Sequence, residues 1–128
     1  MKIILLVFIS TLFFSFFQSI PSHKGLGKIH VVKAYSQNIL GKNIGYYVEF
    51  KNNGPDDVDA LKWKAIFYDN FADFKGEVTG NWSSGNFISP MKQGESIKDL
   101  ESAWIKDASK VVIKITKVHF TKGKTIGK

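Results

Sequence analysis

Three observations predict an all-β fold: an antiparallel sandwich of about six to eight strands, preceded by an N-terminal apolar signal helix. The first is the stretch from Ile44 to Phe71, where two alternating apolar runs flank a polar turn. The second is a set of further short alternating segments, separated at regular spacing by Gly, Pro, Asn and Asp clusters. The third is an apolar run from Ile3 to Phe17 behind a single positive charge, Lys2.

The central stretch carries the clearest pattern. Ile44, Tyr46, Val48 and Phe50 fall on one face and Gly45, Tyr47, Glu49 and Lys51 on the other, because successive side chains of a strand point to opposite faces. Asn52 to Asp57 then gathers turn formers: Asn and Gly tolerate positive φ, Pro lacks an amide hydrogen, and Asp bonds nearby amides. Leu61, Trp63, Ala65 and Phe67 resume the alternation opposite Lys62, Lys64, Ile66 and Tyr68. Trp63 is the expected core anchor, packed with Val48, Phe50, Phe67, Ile113 and Ile115.

Taken in order, residues 1–22 read as a secretory signal peptide, with cleavage after Ser19 or Ser22. The apolar run falls short of the roughly 20 residues that span a bilayer, which favours a signal over an anchor. Residues 23–128 form the domain. Lys28 to Ser36 reads as a first strand, and Gln37 to Asn43 as a loop whose Ile39 and Leu40 tuck under the sandwich. After the central pair, Asp69 to Asp73 is a turn and Phe74 to Thr79 a short edge strand. Gly80 to Gly94 reads as mostly irregular, with one short strand around Asn86 to Ser89. Glu95 to Ile105 fits a strand with an irregular middle, although Ile97, Leu100 and Trp104 also match a helical stripe. In Lys110 to Phe120, Val111, Ile113 and Ile115 alternate and then Val118 and Phe120 continue on the opposite parity, which predicts a bulge near Thr116 and Lys117. Thr121 to Lys124 is a turn, followed by the stub of a last strand.

The 128 residues allow one domain, and apolar and aromatic fractions of 44% and 14% supply a core and argue against disorder. Cysteine is absent, so disulfides, thiolate metal sites and a lipoprotein anchor are excluded. The formal charge is +7 and every basic residue is lysine. Arginine's planar fork makes the bidentate contacts that read phosphate and guanine, so its absence argues against specific nucleic-acid recognition.

The segment EFKNNGPDDVDALKWKAIFYDNF, followed by PMKQGES and VVIKITKVHFTKG, resembles the immunoglobulin-like domains of bacterial exported proteins of the FxLYD type and their uncharacterised relatives. The shared features are the Asn-rich turn after Phe50, the Phe-Tyr-Asp strand end at Ile66 to Asp69, the turn of Pro90 to Ser96, and the Val118 to Gly123 strand and turn. Gln93 stands where that turn usually has proline. The likeness covers about Lys28 to Gly123, and its motifs are turn and core residues. It implies an immunoglobulin-like sandwich acting as a non-catalytic binding or spacer module, secreted or at the cell surface, and brings no catalytic residue with it.

The residues themselves suggest no enzyme. The histidines are His23, His30 and His119, and no nucleophile elbow, zinc-binding HExxH or phosphate-cradling loop is present. Asp56, Asp57 and Asp59 cluster in one turn, and Asp69 and Asp73 in another; both are ordinary turn chemistry and also the kind of oxygen set calcium uses. No cofactor is expected. The binding candidates are Phe71, Phe74, Trp82 and Phe87, set among Gly, Ser and Asn. These rings either fold over an open end of the sandwich as a secondary core or stay exposed as a contact surface, with Trp82 the best anchor. The expected partner is a protein or a cell-envelope polymer. A lysine-driven binder of anionic wall or membrane polymers, or an accessory or inhibitor subunit of an extracellular enzyme, are the alternatives. The chain is expected to be a monomer, touching membrane only through an uncleaved signal segment.

Overall fold

A computed structural model describes residues 19–128. The expected signal helix lies outside the described residues, apart from its last four positions. Seven antiparallel strands follow: β1 (Ile29–Ile39), β2 (Lys42–Asn52), β3 (Val58–Tyr68), β4 (Phe74–Ser83), β5 (Ser96–Ser102), β6 (Lys110–Phe120) and β7 (Thr125–Gly127). They form a three-stranded sheet in the order β1-β2-β5 and a four-stranded sheet in the order β4-β3-β6-β7.

The two sheets bury their alternating apolar residues against each other, and the core residues are those the period of two selects. Tyr46, Val48 and Phe50 of β2 meet Leu61, Trp63, Ala65 and Phe67 of β3 and Ile113, Ile115 and Val118 of β6, all buried. The Trp63 ring packs 4.8 Å from that of Phe50, and its Nε1–H donates to the Tyr46 hydroxyl oxygen across the core at 2.9 Å. Burial pushes the Tyr46 hydroxyl up to about 12, and the nearby carboxylates of Glu101 and Asp99 add to the shift. The expected bulge falls at Thr116, since Trp63 pairs with Ile115 and Lys62 with Lys117.

Five expectations are corrected. The loop expected at Gln37 to Asn43 is the end of β1, a two-residue turn and the start of β2, with Ile39 paired to Lys42. The turn residues Leu40 and Gly41 both have positive φ, at 51° and 76°, as a tight hairpin matching strand twist requires. Ile39 and Leu40 therefore point into solvent instead of tucking under the sandwich, Leu40 at 97% exposure. The edge strand β4 does not stop at Thr79 but pairs with β3 as far as Ser83, and no strand forms around Asn86 to Ser89. β5 pairs with β2 in unbroken register from Ser96 to Ser102, so neither the irregular middle nor the helical alternative is realised. Gln93 keeps its turn: the Glu95 N–H donates to the Lys92 carbonyl, with Gly94 at φ 84°.

Each end of the sandwich is fastened by a buried asparagine. Asn52 Nδ2 donates to the carbonyls of Asp56 and Met91 at 2.8 and 2.9 Å, and its Oδ1 accepts from the Gly54 N–H, joining the β2–β3 and β4–β5 connections. At the opposite end Asn43 Nδ2 donates to Ser36 and Asn38, and its Oδ1 accepts from the Ile105 N–H, joining the β1–β2 hairpin to the β5–β6 connection.

Candidate functional site

The four rings singled out in the sequence do not form one patch. β4 runs between them, and at about 3.3 Å per residue the eight positions from Phe74 to Trp82 span about 26 Å. Phe71 and Phe74 lie at the β3–β4 turn, both exposed. Trp82 pairs with Leu61 near the other end of β4, half-buried against the core. Phe87 is fully exposed in the connection that follows.

Phe71 and Phe74 instead join Ile39 and Leu40, which the sequence places under the sandwich, and Trp104, which it places on an irregular strand. Because β1, β3 and β5 run the same way, the β1–β2, β3–β4 and β5–β6 connections all emerge at one end. Hydrogen bonds tie them there: Asn43 to Ile105, Ser109 N–H to the Tyr68 carbonyl at 2.9 Å, and Ser109 Oγ to Asn70 Oδ1. Each connection carries large apolar side chains in solvent: Ile39 and Leu40 on the first, Phe71 and Phe74 on the second, Trp104 on the third at 76% exposure. The three non-glycine residues with positive φ among the described residues, Leu40, Ala72 and Asp107, sit one in each connection. Such conformations cost energy for residues with a Cβ and persist where the surroundings fix them.

The β3–β4 turn shows how that end is built. Asp69 Oδ1 accepts the N–H groups of Phe71 and Asp73 at 2.8 and 3.0 Å, and Oδ2 lies 3.4 Å from Lys75 Nζ. The Asp73 amide, then the Phe71 amide and Lys75, hold the Asp69 carboxyl below its ordinary value. Both oxygens are thus engaged in shaping a turn that aims Phe71 outward. The other aspartate cluster disperses, with Asp56 3.1 Å from Lys122 and Asp59 2.5 Å from His119 Nδ1. Among the described residues no three carboxylates or imidazoles converge as metal ligands.

The titratable groups with an unusual setting serve the scaffold. His23 Nδ1 accepts the Ile113 N–H at 3.0 Å, and burial pushes its imidazole down. Glu101 and Asp99 share the inner face of the edge strand β5, opposite Tyr46 and Val48. Burial, then the hydrogen bond and charge of Asp99, push the Glu101 carboxyl up to about 7.

No family model and no curated protein matches the chain. Among solved structures it is similar to that of the structural-genomics target SoR45, at 15% identity over 77% of this chain and 79% of that one, with a TM-score of 0.49.

Proposed function

We propose that the protein is a non-catalytic binding module of immunoglobulin-like fold, exported from the cell, that grips an apolar partner surface with the end formed by the β1–β2, β3–β4 and β5–β6 connections. The observation that carries this reading is Leu40. A two-residue hairpin favours Asn at its first positive-φ position, and here a leucine occupies it almost fully in water. Neither turn geometry nor core packing accounts for that choice; a contact surface does. Phe71, Phe74 and Trp104 extend the same end, and aromatic side chains are enriched at the centre of contact surfaces.

Topology supports the immunoglobulin-like assignment. Constant-type immunoglobulin domains order their strands 1-2-5-4 and 3-6-7, with a buried tryptophan on the third strand. This chain differs in that its fourth strand lies beside the third, and Trp63 occupies the tryptophan's place. The apolar segment before residue 19, with the small residues that follow it, supports export.

Photo-crosslinking tests the surface. A crosslinker at position 40, 71 or 104 of the full chain in its native cell envelope is expected to give a discrete adduct that survives high salt. One at position 122, on the opposite end, is expected to give none. Equal adducts from both ends would refute the assignment. The mass of the processed protein tests export: a chain beginning at Ile20 or His23 fits, and an intact Met1 in the membrane fraction shows an anchor instead.

A further inference from the structure

A second surface lies away from the loop end, on the outer face of the four-stranded sheet. The register of β3 and β6 sets Lys62 directly opposite Lys117 and Lys64 opposite Lys114, and the N-terminal lead-in bridges Lys24 to Lys114. Three like-charged cross-strand pairs therefore adjoin one another. Side chains so placed are about 5 Å apart at their Cβ atoms, and like charges there oppose folding. No carboxylate among the described residues lies within ion-pair distance of any of these five lysines. Acids are present elsewhere in the same sheet: Glu77 faces Ile66, and Asp59 is held by His119.

The lysines are arranged in two rows across the strands. One runs Lys24, Lys114, Lys64 and ends at Thr79; the other runs Lys117, Lys62 and ends at Asn81. Lys24, Lys62, Lys64, Lys114, Thr79 and Asn81 line a shallow cleft of about 590 Å³, which Lys128 also borders. Its polar side chains are cationic donors and neutral hydrogen-bonding groups, the complement of an anionic chain. None of the large exposed apolar side chains lines the cleft, so the cleft has nothing to insert into a bilayer. Lysine, a compact point charge, responds to charge density and not to the planar geometry that an arginine fork reads.

We infer that this cleft binds a linear phosphate-bearing polymer, held by the charge of Lys24, Lys62, Lys64, Lys114 and Lys117 without sequence or headgroup recognition. The site is separate from the apolar loop end, and either can fail without the other.

Long-chain inorganic polyphosphate is the probe, titrated against the full-length chain in non-ionic detergent micelles. Displacing counterions from such a chain at five contacts gives a steep salt dependence. Affinity is expected to fall about 100-fold between 50 and 200 mM salt. The triple substitution Lys62→Glu, Lys64→Glu, Lys114→Glu is expected to weaken binding at least tenfold without lowering the melting temperature. It makes two of the three like-charged pairs, those with Lys117 and Lys24, opposite-charged and leaves the third, between positions 64 and 114, like-charged as before. Lys42→Glu, Lys92→Glu, Lys106→Glu, with the same change of net charge on other surfaces, is expected to retain most of the affinity. If the first variant misfolds, Lys62→Gln, Lys64→Gln, Lys114→Gln repeats the test without charge reversal. Absence of polyphosphate binding at 50 mM salt, or equal loss in the two charge-matched variants, overturns the site. Stronger competition from polyglutamate, or from phosphatidylglycerol dispersed in the same micelles, overturns the phosphate polymer as its ligand.

Discussion

Gly80 gives the sharpest test of how the core is built. It lies on β4 opposite Trp63, on the inner face, and is buried. A Cβ added there would fall within the van der Waals envelope of Trp63 Cε2, Nε1 and Cζ2. The backbone at Gly80 is of a kind that any residue adopts, so Gly80→Ala carries no conformational penalty and isolates the steric one. The indole cannot yield cheaply, because it is fully buried against Phe50 and its Nε1–H is committed to the Tyr46 hydroxyl. Overpacking of this kind costs about 1–3 kcal/mol. Displacing the indole from Tyr46 forfeits a further ~1 kcal/mol. Alanine's advantage over glycine within a strand returns about 0.5–1 kcal/mol. The net expectation is a loss of about 2 kcal/mol, or a melting temperature lower by about 8–16 °C for a domain of this size. Urea denaturation followed by far-ultraviolet circular dichroism measures it. In a Trp63→Phe background, where the clashing part of the indole is gone, Gly80→Ala is expected to cost little. A Gly80→Ala protein as stable as its parent, or one equally destabilised in both backgrounds, would refute the packing.

Two further outcomes follow from local chemistry. The folded state holds the Glu101 proton from its ordinary value of 4.5 up to about 7, so this contribution to stability is complete below 4.5 and lost as the pH rises through 7. Glu101 therefore pulls the melting temperature down across that window, while His23, whose imidazole burial pushes down, pulls it up with rising pH below 6.5. Glu101→Gln is expected to make the slope of melting temperature against pH more positive than the parent's; an unchanged slope in the variant would exclude a Glu101 contribution. Leu40→Asn, which restores the residue type preferred in the turn, is expected to stabilise the fold by up to about 1 kcal/mol while weakening crosslinking from position 71. A variant that is less stable than the parent would show that Leu40 is held by packing and not aimed outward.

Most of the fold was legible because most strands obey a clean period of two. β2, β3 and the first half of β6 alternate with large apolar side chains on the buried face, and the parity change in β6 located its bulge. β4 was cut short for a physical reason. Its inward positions are Gly76, Val78, Gly80 and Trp82, because the Trp63 indole and the Ile105 side chain fill the space over the two glycines. A strand whose buried face is half glycine shows no apolar alternation. The β1–β2 hairpin was missed because Leu40 replaces the usual turn residue, and an isolated leucine reads as core.

The binding surfaces were legible as residue types but not as arrangements. Exposed rings near Phe71 could be anticipated; that Leu40 and Trp104 join them, while Trp82 lies most of a strand's length away, depends on strand direction. The lysine rows depend on register in the same way. In an unbroken strand Lys114 and Lys117, three residues apart, would point to opposite faces. The bulge at Thr116 turns Lys117 outward and sets it against Lys62, while the same shift carries Val118 into the core opposite Leu61. A single inserted residue thus serves burial and charge placement together. The stability lost to like-charge repulsion is offset by keeping Val118 buried, and the core itself enforces the cationic face.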